Sequence, residues 1–329
     1  MVTTVIFIGW CPLARDLVKY CVCADIRRFH FVGVVLPRRD IQGFQIEKEV
    51  GIPLLGPIES LATFVRQCGK PEHTLLVVAL GEERDDVSLR AIADCMSRGC
   101  EVAEIADTYE TLTERVPVLH IHEHWLLSVF NGPRMWYHFL KRAIDISFSL
   151  ALLVFLSPFI LLVACAVMLT SGRPIFYQQC RVGRGGKEFV IYKFRTMVED
   201  AEKDEAVWAV KNDPRTTRVG RFLRRFRIDE TPQLFNVLKG DMSLIGPRPE
   251  RPEFVQKLQQ EIPFYSYRHV VKPGITGWAQ VKYPYACSVE DSLQKLQYDL
   301  FGVRNASVTR DVRILIRTMW VVLSGAGVH

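Results

Sequence analysis

The sequence has no cysteine framework. Its nine cysteines are odd in number and scattered, and only Cys21-Val22-Cys23 brings two close together. That excludes a disulfide scaffold and a thiolate metal site, and it reads as reduced thiols in a cytosolic setting. There is no low-complexity tract. A composition of 49% hydrophobic and 24% charged residues excludes a disordered chain. The start, Met-Val-Thr-Thr-Val-Ile-Phe-Ile-Gly, lacks the basic residues and cleavage site of a secretory leader, and reads as a buried strand. Formal charge is absent altogether from residues 146–172. Acidic residues are in the minority after residue 130. Residues 1–130 hold 13 Lys/Arg against 18 Asp/Glu, and residues 131–329 hold 29 against 18. The second part therefore attracts anions: nucleic acid, anionic lipid or a phosphorylated substrate.

What is present first is an alternation of strands and helices. Residues 4–8, 31–36, 75–80 and 102–105 are β-branched or aliphatic runs, with a helical pattern over 12–23 and a charged helix ending near Arg98. The alternation predicts a parallel sheet, a Rossmann-like half, over residues 1–130. Its first turn, Gly9-Trp10-Cys11-Pro12-Leu13-Ala14, has one glycine where a dinucleotide fingerprint wants three. A regulatory or assembly domain is the better reading, with a nucleotide-sugar or CoA-like ligand left open. His120-Ile121-His122-Glu123-His124 places three histidines on one face of a strand, but no partner follows at a familiar metal spacing.

Asn131-Gly132-Pro133 marks a linker. The uncharged stretch that follows exceeds the ~20 residues needed to span a bilayer. Pro158, after Ser157, falls near its middle, where it breaks or bends a helix. Basic residues flank both ends: Lys141 and Arg142 before, Arg173, Arg181 and Arg184 after. Positive flanks stay cytoplasmic. A re-entrant membrane hairpin at 131–172 therefore fits better than a crossing, with Ser157 a partner for backbone groups freed at the bend.

Residues 173–329 read as a mainly helical α+β domain. A hairpin is predicted around Arg181–Gly186, with Lys193 and Arg195 on one strand face. Val219, Phe222, Leu223 and Phe226 form an apolar stripe beside arginines, the pattern of an interfacial amphipathic helix or of one packed on a core. Residues 308–323 are a second such candidate. Asp229 and Glu230 precede Thr231-Pro232, and Gly240 stands where a helix would end. Alone, the pair reads as a helix cap. Beside so many arginines it can also handle a phosphate with a divalent cation. Gly246-Pro-Arg248-Pro presents an arginine rigidly, suited to bidentate phosphate binding.

Tyr192-Lys-Phe-Arg-Thr-Met197, the Asp213-Pro-Arg and Arg-Phe-Leu-Arg-Arg run, Asp229-Glu-Thr-Pro-Gln-Leu-Phe-Asn236, Gly246-Pro-Arg-Pro249 and Lys272-Pro-Gly-Ile-Thr-Gly-Trp-Ala-Gln280 occur in an order that carries a resemblance. Residues 136–329 resemble the bacterial sugar transferase family, the monotopic polyprenyl-phosphate hexose-1-phosphate transferases, in the branch serving exopolysaccharide assembly. The family pattern usually has Leu where Thr231 stands and Ser near Arg227. The resemblance implies transfer of a sugar phosphate from a UDP-sugar to polyprenyl phosphate, releasing UMP, at the cytoplasmic face of a bacterial inner membrane. It implies Asp229 as nucleophile and Glu230 as the residue holding Mg²⁺ or managing protons. Arg248 is the implied phosphate ligand, Lys193 and Arg195 are weaker candidates, and Asp311 matches an acidic position near the site. The lipid bilayer is an expected partner, nucleic acid is not, and homodimer formation stays open. A membrane-tethered nucleotide sensor or scaffold is the competing reading.

Overall fold

β1 (Thr3–Ile8) explains the N-terminal architecture. Val5 and Phe7 enter one apolar cluster and Ile6 and Ile8 another, so both faces of the strand are buried, as in a parallel sheet covered on both sides. The computed structural model describes residues 2–27, 29–42, 51–69, 71–80, 85–120, 135–197, 215–283 and 288–324. It divides into two compact units, 1–121 and 122–329.

The first unit is a five-stranded, all-parallel sheet. In chain order its elements are β1, α1 (Pro12–Cys23), β2 (Phe29–Leu36), α2 (Arg38–Ile41), β3 (Leu54–Pro57), α3 (Leu61–Gln67), β4 (Thr74–Val78), α4 (Asp86–Ser97), β5 (Glu101–Glu104) and α5 (Ile105–Thr113). The strand order is β3-β2-β1-β4-β5. Leu13, Leu17, Val18 and Tyr109 of α1 and α5 cover one face, and Leu61, Val65, Ile92 and Cys95 of α3 and α4 the other. The sequence pattern misses β3, because Leu-Leu-Gly-Pro lacks alternation and ends in proline, which an edge strand tolerates. Gly9 has φ +86°, and a Cβ there would sit 2.7 Å from the Ala79 carbonyl oxygen. This glycine serves the close passage of β1 past the end of β4. His120 closes a short 3₁₀ turn. The rest of the histidine cluster and the Asn131-Gly-Pro linker lie outside the described residues.

The second unit begins with α6 (Met135–Ser171), 37 residues long and therefore about 55 Å at 1.5 Å per residue. Helical structure runs through Pro158 without interruption, so two helices parted at the proline are not what forms. Pro158 leaves the Val154 carbonyl without its i+4 donor, and Ser157 Oγ donates to that oxygen at 2.8 Å. Any re-entrant path has to come from a bend within one helix. This is the one described helix long and apolar enough to cross a membrane, and only 11% of its most apolar window is buried.

β6 (Phe176–Val182) and β7 (Glu188–Phe194) form the expected hairpin. α7 (Arg218–Arg225) starts at Thr217, whose Oγ1 accepts from the Gly220 N–H at 2.9 Å. α8 (Gln233–Lys239) ends at Gly240, with φ +99°. Then follow β8 (Ser243–Ile245), α9 (Pro252–Glu261), β9 (Gly274–Thr276), α10 (Trp278–Lys282), α11 (Val289–Arg304) and α12 (Val308–Ser324). The stripe on α7 splits. Leu223 and Val219 pack with Val163 and Val167 of α6 and Phe194 of β7, whereas Phe222 remains exposed. α12 leaves Val312, Ile316, Met319 and Trp320 exposed on one side.

Candidate active site

Asp229 and Glu230 occupy a 3₁₀ turn, Ile228–Glu230, directly ahead of α8. The turn is entered through Arg227 in the left-handed region, φ +56°. Asn236 of α8 and Arg142 of α6 tie this corner to its neighbours. Asn236 Nδ2 donates to the Val190 carbonyl at 2.7 Å, and its Oδ1 accepts from the Tyr192 N–H at 3.3 Å. Arg142 of α6 donates to the Val237 and Leu238 carbonyls at 2.6 and 2.8 Å, a cation on the last-turn oxygens of a helix. β7, α8 and α6 are thereby held around the carboxylate pair.

Glu230 is the hub. Its Oε1 accepts from Arg248 Nη2 at 2.6 Å and Lys193 Nζ at 3.3 Å, with Arg227 Nη1 at 3.7 Å. Its Oε2 has a longer contact with Arg248 Nη1, 3.4 Å. Burial acts to raise its pKa, but Arg248, Lys193 and Arg227 outweigh burial and hold it well below the usual carboxylate range. Asp229 is different. It is buried, and its Oδ1 has no hydrogen-bond partner among the described residues. Burial first, then the charge of Glu230, push its pKa up, against a smaller pull from Lys193, Arg227 and Arg224. Two adjacent carboxylates are thus driven apart in basicity, which divides their roles. Glu230 stays anionic and gathers cations. Asp229 keeps a more basic, unengaged oxygen, the property a carboxylate nucleophile needs.

The Arg248 loop is braced from behind. Gly246 N donates to the Thr276 carbonyl and Gly274 N to the Pro247 carbonyl, at 2.8 and 2.9 Å. A Cβ on Gly246 would lie 2.4 Å from the Lys272 carbonyl oxygen, and one on Gly274 2.1 Å from Gly246 N. The Gly-Pro-Arg-Pro and Lys-Pro-Gly-Ile-Thr-Gly segments need their glycines because the two backbones touch. Arg268 Nη2 donates to the Arg248 carbonyl at 3.0 Å, and Arg181 Nη1 to the Pro249 carbonyl at 3.1 Å. Arg268 is itself buried, with Nε and Nη2 both on Asp299 Oδ2 at 3.1 and 2.7 Å and Nη1 on the Tyr265 hydroxyl at 2.8 Å.

The structure brings Asp229, Glu230, Lys193 and Arg248 together. The contacts of Arg195 and Asp311 are made elsewhere. Arg195 lies just past the end of β7, and its Nη1 donates to the Arg173 carbonyl. Asp311 accepts from the Tyr137 hydroxyl at 2.9 Å and Lys141 Nζ at 3.0 Å, joining α6 to α12. The sequence reading gave no site role to Arg227, Arg181, Arg268 or Asp299. The available signal was an aspartate flanked by Leu296, Tyr298, Leu300 and Phe301, but its partner is 31 residues away.

Among the described residues no three His, Cys, Asp or Glu side chains converge into a metal cage. Mg²⁺ needs no such cage, since it is commonly held by one or two carboxylates plus substrate phosphates. The unpartnered Asp229 Oδ1 and the weakly engaged Glu230 Oε2 are oxygen donors that fit that arrangement.

The bacterial sugar transferase family profile matches residues 136–325. The chain is similar to the UDP-N-acetylgalactosamine-undecaprenyl-phosphate N-acetylgalactosaminephosphotransferase of Aeromonas hydrophila, 45% identical over 238 residues, 72% of this chain and 56% of that relative. It is similar to the UDP-glucose:undecaprenyl-phosphate glucose-1-phosphate transferases of Klebsiella pneumoniae, 36% identical over 248 residues with 72% and 52% covered, and of Caulobacter vibrioides, 39% identical over 234 residues with 69% and 87% covered. The chain spans about half the length of the first two. With the profile covering more than half of the chain and the motif residues gathered on one carboxylate pair, this chain belongs to the bacterial sugar transferase family.

Proposed function

We propose that this protein transfers a hexose 1-phosphate from a UDP-sugar to undecaprenyl phosphate, releasing UMP, through a covalent intermediate on Asp229, as the first membrane step of exopolysaccharide or glycoconjugate assembly. The observation that carries the reading is the pairing of an unengaged, more basic Asp229 with a Glu230 held anionic by Arg248 and Lys193. An Asp229 oxygen attacks the sugar-bearing phosphorus. The bond to the bridging oxygen breaks, and UMP leaves with the electron pair. An oxygen of undecaprenyl phosphate then attacks the same phosphorus, breaks the bond to Asp229 and restores its carboxylate. Arg248 and Lys193 are cations already gathered where charge develops on the phosphates. Mg²⁺, held by Glu230 together with the diphosphate, supplies further charge neutralisation when bound.

The test is UMP release by the full chain in detergent or nanodiscs, with undecaprenyl phosphate and a UDP-sugar. Release that depends on both substrates and on Mg²⁺ is expected. No release from any UDP-sugar, with tight nucleotide binding to the first unit, would favour the sensor reading instead. The relatives' names divide between N-acetylgalactosamine and glucose, so the donor is a UDP-activated hexose or N-acetylhexosamine.

The same reading puts the catalytic unit on the cytoplasmic face of the inner membrane, with α6 re-entrant. What supports this is where the two halves of α6 are anchored. Before Pro158, Asp145 Oδ1 accepts from Ser243 Oγ and the Leu244 N–H at 3.1 and 3.0 Å. After it, Val163 and Val167 pack on Phe194 and Leu223. Both halves bind one unit, so their outer ends belong on one side. Single cysteines at Phe139 and Lys187, in a background without other exposed cysteines, are expected to react with an impermeant reagent from the same side. Labelling from opposite sides would overturn the topology.

A further inference from the structure

Behind the Arg248 main chain lies a cavity of about 50 Å³, room for on the order of four water-sized groups. It is lined by the apolar side chains of Phe254, Leu258 and Leu296 and by the polar ones of Tyr265, Ser292 and Lys295. One contact and one chain connection join it to the site. Arg268, which lines it, donates to the Arg248 carbonyl at 3.0 Å, and Glu250, which also lines it, follows Arg248 by two residues.

The polar wall has hydrogen-bonding capacity left over. Lys295 makes no hydrogen bond or ion pair among the described residues, while the nearby Glu250 carboxylate pairs with Arg181 at 3.6 Å. Burial pushes the Lys295 ammonium down from its ordinary range. The Tyr265 hydroxyl accepts from Arg268, which leaves its own proton to donate. Ser292 Oγ donates to the Ser288 carbonyl at 2.9 Å and retains acceptor capacity. The cavity thus asks for a small neutral group with one strong acceptor, one donor and one apolar end.

We infer that this cavity receives the 2-acetamido group of an N-acetylhexosamine donor. The inference rests on the transferase reading and names its substrate class. Lys295 Nζ and the Tyr265 hydroxyl donate to the acetamido carbonyl. Ser292 Oγ accepts from its N–H, and the methyl meets Phe254, Leu258 and Leu296. Reach agrees with the covalent structure of the donor. The C2 substituent lies beside the anomeric phosphate, and the cavity is lined by Glu250, two residues along the loop from Arg248. The uracil is separated from that phosphate by ribose and a second phosphate, and a whole base exceeds the space.

The experiment compares UDP-N-acetylglucosamine and UDP-N-acetylgalactosamine with UDP-glucose and UDP-galactose, using the full chain with undecaprenyl phosphate. The wild type should favour the N-acetylated donor by at least about tenfold in kcat/KM, the scale of one well-made group contact. Lys295→Met and Ser292→Ala should narrow that ratio by about tenfold and about threefold respectively, with the loss in KM and with inhibition by UMP unmoved. Lys295→Met removes a charge with no ion-pair partner among the described residues, so it should keep the fold, and Ser292→Ala gives an independent reading. Thermal shift by the same UDP-sugars without acceptor reports binding apart from chemistry. A wild type without donor preference, variants that lower all donors equally, or a parallel loss of UMP inhibition would overturn the cavity assignment. A preference seen in thermal shift with no UMP release from any donor would leave the cavity standing and overturn the transferase reading.

Discussion

Asp229→Asn is expected to lower UMP release by on the order of 10⁴–10⁶-fold, the range seen when a covalent nucleophile is removed. It should also abolish any phosphosugar adduct trapped by acid quenching. The substitution keeps the shape of the turn, so the loss will report chemistry. Stability should move the other way. Burial raises the Asp229 pKa in the folded chain above its unfolded value. Below the unfolded pKa both states are protonated and ionisation costs nothing. As pH rises through the unfolded and then the folded pKa, the cost of an ionised buried carboxylate develops, and it is full only above the folded pKa. Asparagine removes that cost. The variant should melt higher than wild type near pH 7.5, by roughly 2–4 °C if about 1 kcal/mol is recovered, and this difference should vanish at acidic pH. In the wild type, turnover should fall on the acid side with a midpoint above the ordinary aspartate range, because only the carboxylate attacks. Full turnover in Asp229→Asn would end the nucleophile assignment. An unchanged melting temperature would contradict the electrostatic account of the turn.

The second large effect is expected at a distance from the reacting atoms. Asp299→Ala should destabilise the catalytic unit by about 3–5 kcal/mol, because it strands the buried Arg268 charge. In a unit of this size that is a fall in Tm on the order of 6–20 °C. Arg268→Met combined with Asp299→Leu should recover much of this, since removing both charges leaves neither uncompensated. Activity should not recover with it. Arg268 also holds the Arg248 carbonyl, and a misplaced phosphate ligand costs about 100-fold. A double variant that regains both stability and turnover would show that the pair is only structural. A double variant that regains stability but stays slow assigns Arg268 the positioning of Arg248.

Much of the fold was legible because its signals are local. The first strands are runs of Val, Ile and Leu bounded by glycine. The hairpin is two apolar stretches around Arg184-Gly-Gly, and α8 is framed by Pro232 and Gly240. β3 was not legible, since a short edge strand needs no alternating pattern. Nor was the course of α6 through Pro158. A proline predicts the loss of a hydrogen bond, but only the placed Ser157 hydroxyl shows the freed carbonyl being met locally. α7 was ambiguous for the same reason. Its stripe fits a membrane surface and a packed core alike, and the structure uses it both ways, with Leu223 inward and Phe222 outward.

The sequence alone determined the family, the uncharged stretch 146–172, and the carboxylate pair as the centre of the candidate site, because residue type and order along the chain suffice for those. Tertiary structure alone decided which carboxylate keeps a free oxygen and which collects the cations. Asp229 and Glu230 are neighbours of the same chemistry, and only the approach of Lys193, Arg227 and Arg248 to one of them breaks that equivalence. It also decided that Arg195 and Asp311 make their contacts elsewhere, and that Arg268 and Asp299 stand behind Arg248. Charge interactions depend on distance and burial, and neither can be read from positions tens of residues apart in a chain.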